Sequence, residues 1–330
     1  MTTINIPSEN YYCNLGSLSA IHLVGEQTDS YLQGQVSVNM ELLSDTNALL
    51  ACHCDFKGKM WNANYILRYA GGVDFLAKKS ALNACINELK KYGVFSKVDI
   101  EDVSADREFI GLGGVDGDDI KTLLSKHFEG ISEQHRSVVS NELGWVLTLN
   151  SSNAIRFICS FPKDSPALHE LREQITEYPE SFWDALDIVD GIGPIVDATS
   201  NEFVPQMFNM QALDAIDFNK GCYMGQEVVA RTKYLGKNKR AAYILKSNSA
   251  RDSNSTLPAS GDILEKAVGE NWRRGGTIVH VSHFDGVLYV LAVLSNDSEA
   301  GEQLRVKQQP DLILTIDDLP YIVNEKPEIK

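Results

Sequence analysis

The sequence predicts an α+β fold: ferredoxin-like α+β units followed by a small antiparallel β-barrel. Two observations carry this. Strand-like and helix-like segments come in the order strand, helix, three-strand meander, helix, and then strand, helix, strand pair, helix. Past Arg240 the helical periodicity stops, and short strands follow at close spacing, as in a small closed sheet. The expected layout is a body over residues 1–240, made of two subdomains with a break near 100–110, and a barrel over residues 241–330.

Residues 18–25 alternate and end in glycine, as a strand does. Gln27 to Val36 reads as a helix resting on Tyr31 and Leu32. Ala48–Asp55, Lys59–Tyr69 and Val73–Ala77 form a meander, turning at Lys57-Gly58 and Gly71-Gly72. Ser80 to Tyr92 is amphipathic through Leu82, Ile86 and Leu89, and Val94 to Ile100 resumes a strand. The second unit starts with a strand at Phe109–Val115, with Gly111 to Gly114 read as a turn. A helix at Asp118–Phe128 follows, then the strand pair Trp145–Leu149 and Ile155–Cys159 joined at Asn150–Asn153, then a helix at Ala167–Tyr178. Phe182 to Asp190 is a short helix carrying Trp183, broken by Gly191 to Pro194. Beyond a loop at Ser247–Ser260, strands are expected at Gly275–Val281, Val287–Leu294, Leu304–Val306 and Leu312–Ile316, with a frayed end at Lys326–Lys330.

A chain of 330 residues with 43% apolar and 23% charged residues has ordinary globular composition. No apolar run is long enough to span a membrane, and the N-terminus lacks the basic and apolar regions of a signal peptide, so a cytoplasmic location is expected. A net charge of −15 argues against a protein whose main business is wrapping nucleic acid. A monomer is expected. The six cysteines are expected reduced, with no zinc-type spacing and hence no metal site. In Cys52-His53-Cys54, strand alternation puts the two thiols on one face and the imidazole on the other, a poor chelate.

Reactive residue types concentrate at Lys220-Gly221-Cys222-Tyr223-Met224-Gly225-Gln226-Glu227. A free thiol is only about 3% thiolate at pH 7; a neighbouring lysine and a helix N-terminus both favour the anion. A helix over Gly225–Lys233 would supply the second. Gly221 and Gly225 would allow unusual backbone angles and close approach. From Asn219 to Arg240 the cations Lys220, Arg231, Lys233, Lys237, Lys239 and Arg240 face one anion, Glu227, which reads as a local anion site within an acidic chain. Gly269 to Gly276, with Trp272, Arg273 and Arg274, is either a hairpin loop or a second wall of the same cavity.

The Lys220–Glu227 signature resembles that of the YgfZ family of folate-binding, tRNA-modification-related proteins. Tyr31–Val36, His53–Trp61, Lys90–Val98 and Gly269–Arg274 extend the resemblance over nearly the whole chain. It implies a fold similar to the aminomethyltransferase T-protein of the glycine cleavage system, with units arranged around a central folate cavity. It also implies roles in tRNA thiomethylation, in maintenance of iron–sulfur enzymes as partners, and in control of replication initiation. Tetrahydrofolate or a derivative is the cofactor so implied; a tetrahydrofolate-dependent one-carbon transferase is the alternative. A third possibility, direct tRNA binding by the basic stretch, is not expected, because the overall charge argues against it. Cys222, with Lys220 and Glu227, is expected to carry chemistry. Trp183, Tyr223, Gln226 and Arg231 are expected to meet the folate. A second family tryptophan falls at Leu18, where this chain lacks the ring.

Overall fold

The computed structural model describes residues 4–114, 117–151, 154–234, 238–247 and 256–323. The chain runs through β1 (Tyr11–Asn14), β2 (Leu18–Val24), α1 (Thr28–Gln33), β3 (Ala48–Cys54), β4 (Met60–Tyr69), β5 (Gly72–Lys78), α2 (Lys79–Gly93) and β6 (Asp99–Asp102). Five of these strands form an antiparallel sheet in the order β3-β4-β5-β2-β6. With β3 set aside, the first strand of the unit lies between its third and fourth, as in a ferredoxin-like β-α-β-β-α-β unit, and β3 extends the edge beside β4.

The second unit comprises β7 (Arg107–Gly113), α3 (Gly117–Leu124), β8 (Val138–Asn141), β9 (Gly144–Asn150), β10 (Ile155–Pro162), α4 (Pro166–Gln174) and β11 (Thr176–Tyr178). Its sheet order is β11-β1-β7-β10-β9-β8. The N-terminal β1 thus enters the second sheet, antiparallel to β7 and parallel to β11. It ties the two halves together before the first is complete.

α5 (Glu180–Val189) and α6 (Gln226–Tyr234) follow, and then a closed barrel in the order β12-β15-β14-β13-β16-β17. Its strands are β12 (Arg240–Ser247), β13 (Ile263–Val268), β14 (Asn271–Phe284), β15 (Val287–Ser295), β16 (Gln303–Val306) and β17 (Gln309–Asp317). Closure leaves no unpaired edge. No helix among the described residues is long and apolar enough to cross a membrane.

One apolar cluster joins all three sheets: Leu18 and Leu50 from the first, Trp145 and Ile158 from the second, Trp183 and Phe182 from α5, and Ile244 and Leu291 from the barrel. Phe182 anchors this junction, 4.9 Å from the ring of Tyr11 and 4.6 Å from that of Phe284. Such aromatic pairs each add about 0.5–1.5 kcal/mol beyond their buried area. The outer faces are covered separately, by α1 and α2 on the first sheet and by α3 and α4 on the second.

Several elements differ from expectation. β1, β8, β12 and β13 were not expected; two are only four residues long, too short for alternation to register. The strand after α2 begins at Asp99, where pairing with Val24 begins, and Phe95 before it is almost wholly exposed. The helix expected to reach Tyr178 stops at Gln174, because Thr176 to Tyr178 pair with β1. Gly111 and Gly113 are not in a turn but in β7. A Cβ on Gly111 would stand 2.3 Å from the Trp183 ring, and one on Gly113 2.3 Å from the Tyr11 hydroxyl, so these glycines let rings lie on the strand. The Gly269 region is the tight β13–β14 hairpin, with Trp272 stacked on Arg305 at 4.1 Å. Val115, residues 152–153, Lys237, the loop over residues 248–255 and the expected frayed end lie outside the described residues.

Candidate functional site

The Lys220–Glu227 segment and Trp183 occupy different places. The segment packs on the edge of the first sheet. Met224 donates its backbone N–H to Gly34 O at 3.0 Å, and Asp217 donates to Ser37 O at 2.9 Å. Gly225 sits at φ +83°, and a Cβ there would lie 2.5 Å from Asp55 O, so this glycine is required for both its angle and its contact. Gly221 has neither constraint: a Cβ there would meet nothing within 4 Å.

Lys220 is buried and points inward. Its ammonium donates to Gln33 O at 2.8 Å, Val36 O at 2.7 Å and Val38 O at 2.7 Å. Burial draws its pKa from 10.5 down to about 8, against an opposing pull from Asp217. All three N–H groups are therefore engaged with backbone, and the expected partnership with the Cys222 thiol is not what the side chain makes. Lys220 instead pins the motif to the chain that leaves α1. Tyr223 is also buried, its ring 5.1 Å from that ammonium, and burial raises its hydroxyl pKa.

Cys222 is exposed, whereas the other five cysteines are buried. It precedes α6 by a short turn. Glu227 and Arg231 are exposed on α6, and neither forms an ion pair among the described residues. Gln226 is half-buried and donates to Lys220 O at 3.4 Å. Lys233 lies 3.8 Å over the Phe218 ring.

Trp183 lies on α5, 2% exposed, with one face against the Arg156 guanidinium at 4.6 Å. Arg156 is buried between Asp187 at 3.0 Å and Asp190 at 2.7 Å. The same ring lines a cleft with Leu15, Leu18, Ala63, Asn64, Lys78, Ile158, Asp187 and Pro194. Burial raises the Asp187 carboxyl pKa, with Arg156 and Lys78 pulling the other way. Lys78 donates to Ser17 Oγ at 2.8 Å and to Asp184 at 3.3 Å. Asp184 is half-buried; desolvation pushes its pKa up, yet His280 and Lys78 hold it below the usual range.

The cleft thus gathers one aromatic ring, a carboxylate and an amide from two different elements. The cleft volume is only about 40 Å³, room for little more than a water molecule, so a bicyclic ring does not fit it with its side chains as they stand. Leu15 and Leu18 also line a second cavity of about 560 Å³ on their other side. That volume is ordinary for a small-molecule site. Neither cavity is lined by Lys220, Cys222, Tyr223, Gln226, Glu227 or Arg231.

Sequence reasoning missed Asn64, Lys78 and Asp187. Asp184, Asp187 and Asp190, three apart beside Trp183 on one helix, were the available signal. Asn64 and Lys78 come from strands of a meander, where nothing local marks them. The two-faced reading of Cys52-His53-Cys54 holds: Cys52 and Cys54 enter the central core, while His53 Nδ1 meets Cys85 Sγ at 3.4 Å on the other face. No group of His, Cys, Asp and Glu suited to a metal occurs among the described residues.

Known proteins bear on this arrangement. A family model described as the YgfZ β-barrel domain matches residues 238–309. The tRNA-modifying protein YgfZ of Photobacterium profundum is 37% identical over 319 residues, covering 95% of this chain and 92% of that protein. The chain belongs to the YgfZ family. A YgfZ protein of Yersinia pestis, also called tRNA-modifying, is 41% identical over 320 residues, with coverage of 94% and 92%. The YgfZ chain also superposes on the glycine cleavage system aminomethyltransferase T of Bartonella henselae, with TM-score 0.72 over 96% of this chain and 88% of that one. At 12% identity that likeness concerns the fold alone.

Proposed function

We propose that this YgfZ-family protein serves tRNA modification as a folate-binding accessory protein, with Cys222 as its reactive thiol, and supports the iron–sulfur enzymes of tRNA thiomethylation. The observation that carries the reading is a division of labour. A buried cleft holds Trp183, Asp187 and Asn64, and a separate surface segment holds the one exposed cysteine. The names of its relatives support the tRNA connection. The aminomethyltransferase-like fold supports folate.

In this reading Trp183 would give the pterin a flat apolar contact, and Asp187 and Asn64 would orient it. Folate supplies one-carbon chemistry or a redox-active ring when bound. Cys222 lies outside the cleft and would act toward a macromolecular partner. The test uses a strain lacking this protein, complemented with the wild type or Cys222→Ala, with methylthiolated tRNA nucleosides and iron–sulfur enzyme activity measured. Loss of rescue is expected; full rescue by the variant removes Cys222 from the mechanism.

A second reading, a tetrahydrofolate-dependent one-carbon transferase, is favoured by Asp187, a carboxyl that lines the cleft beside Trp183. Folate-dependent turnover of a methylated amine, lost in Asp187→Asn, would support it.

A further inference from the structure

The β3–β4 turn and α6 pack together and present one surface. Asp55 fixes the turn: its Oδ1 accepts the backbone N–H groups of Lys57 at 2.9 Å and Lys59 at 2.8 Å. The turn rests on the start of α6. A Cβ on Gly58 would lie 3.0 Å from the Val228 side chain, and one on Gly225 would lie 2.5 Å from Asp55 O. Cys222, exposed, stands just ahead of Gly225 in the chain. The start of β12 is held beside the helix. Asn238 donates to Gln206 O at 3.1 Å, and Gln206 donates to Val229 O at 2.7 Å.

Two aromatic rings are left in solvent on this surface. Phe56 at the tip of the turn and Tyr234 at the end of α6 are each 68% exposed. Four cations interleave with them, Lys57 and Lys59 on the turn and Arg231 and Lys233 on α6. Lys57 Nζ lies 5.4 Å from the Phe56 ring, and Lys233 Nζ lies 5.6 Å from that of Tyr234. None of the four forms an ion pair among the described residues. Asp55 is spent on the turn, and Asp217 accepts from Asn219 N at 2.8 Å, which leaves Glu227 as the exposed acid of the two segments. Glu227, Arg231 and Tyr234 recur at spacings of four and three and so share one stripe of α6. Lys239 and Arg240, also exposed, continue the positive charge into β12.

A net charge of −15 describes the whole chain and not this face, where cations outnumber acids and stand unpaired. Unpaired cations interleaved with single exposed rings suit a single-stranded nucleic acid: the cations meet phosphates and the rings stack on bases. Protein interfaces are depleted of lysine and gather their rings into an apolar core. We propose that this face receives an unpaired segment of RNA, with Phe56 and Tyr234 as stacking platforms and Lys57, Lys59, Arg231 and Lys233 on the phosphates. The inference rests on the tRNA reading above and names RNA as the macromolecule that comes to the Cys222 surface.

The test is fluorescence anisotropy of the full chain with three labelled probes across a range of salt: an unmodified tRNA transcript, an unstructured RNA oligonucleotide and a blunt RNA duplex of the same length. The wild type should bind the tRNA and the oligonucleotide about tenfold more tightly than the duplex. The slope of log affinity against log salt should be roughly −2 to −3, from about −0.7 for each phosphate contact. Replacing Arg231→Gln and Lys233→Gln together should reduce that slope by about 1.4. Phe56→Ala and Tyr234→Ala should each weaken oligonucleotide binding about tenfold and leave the slope unaltered. These four positions are exposed, so the thermal midpoints should stay at the wild-type value. Lys163→Gln, an exposed cation of the second unit, should change neither affinity nor slope. Equal affinity for duplex and oligonucleotide, or ring variants that bind as the wild type does, overturns the proposal. Absence of binding to all three probes also overturns it and gives the face to a protein partner, while the Cys222→Ala complementation result still decides the role of the thiol. Full rescue by Cys222→Ala alongside the expected RNA binding removes the thiol from the mechanism and keeps the RNA face.

Discussion

Leu18 and Trp183 line the same cleft, one from the first strand of the first sheet and the other from α5. An indole and an aliphatic side chain therefore share the lining at the two positions where the family resemblance implies two rings. Trp183 is the one aromatic ring among the residues that line this cleft. Trp183→Phe should fold, losing less than the roughly 3–5 kcal/mol of a truncation to alanine, and should weaken tetrahydrofolate binding about tenfold. Urea unfolding and titration on the same sample separate the two effects. An unchanged dissociation constant in the folded variant would show that the ring is not the platform.

Lys220→Met should destabilise the protein by about 3 kcal/mol, because three backbone carbonyls lose their buried donor. The loosened segment should expose Cys222 further and speed its alkylation. Were Lys220 instead to act on the thiol, the variant would slow alkylation at neutral pH and leave the unfolding midpoint unchanged.

The two glycines that flank Cys222 should respond differently. Gly225→Ala forces a side chain into a positive φ and against Asp55 O, and should cost at least roughly 1–3 kcal/mol from the angle alone. Gly221→Ala meets nothing and should stay within about 0.5 kcal/mol of the wild type. Thermal denaturation of the two variants side by side decides it.

His53 gives the fold an acid limit. Burial lowers its pKa from 6.5 to about 4. The unfolded chain therefore binds a proton in this window that the folded chain does not. The stability due to neutral His53 is fully present above pH 6.5 and is lost as pH falls toward 4, by roughly 3 kcal/mol. In His53→Gln the slope of unfolding free energy against pH across that window should flatten. An unaltered slope would assign acid sensitivity to other groups.

Much of this was legible because period and position agree. The meander, the amphipathic α2 and the barrel hairpins declare themselves through alternation, helical spacing and turn glycines. β1 and β11 did not, since a short strand's identity is set by its distant partner. The Lys220–Glu227 segment was visible as a concentration of reactive types, but local sequence says nothing of where a lysine points. The carbonyls that capture Lys220 lie far upstream in the chain, at the end of α1 and just beyond it. Asp187 was hidden for a related reason. A helix acid looks like solvated charge until Arg156 and the cleft are brought to it.

The most direct test is the structure of the protein bound to tetrahydrofolate. The pterin should lie against Trp183 and Asp187, with Leu18 displaced and Cys222 out of contact with the ligand. A pterin seated on the Cys222–Glu227 segment, leaving the Trp183 cleft closed, would contradict the division between cleft and thiol.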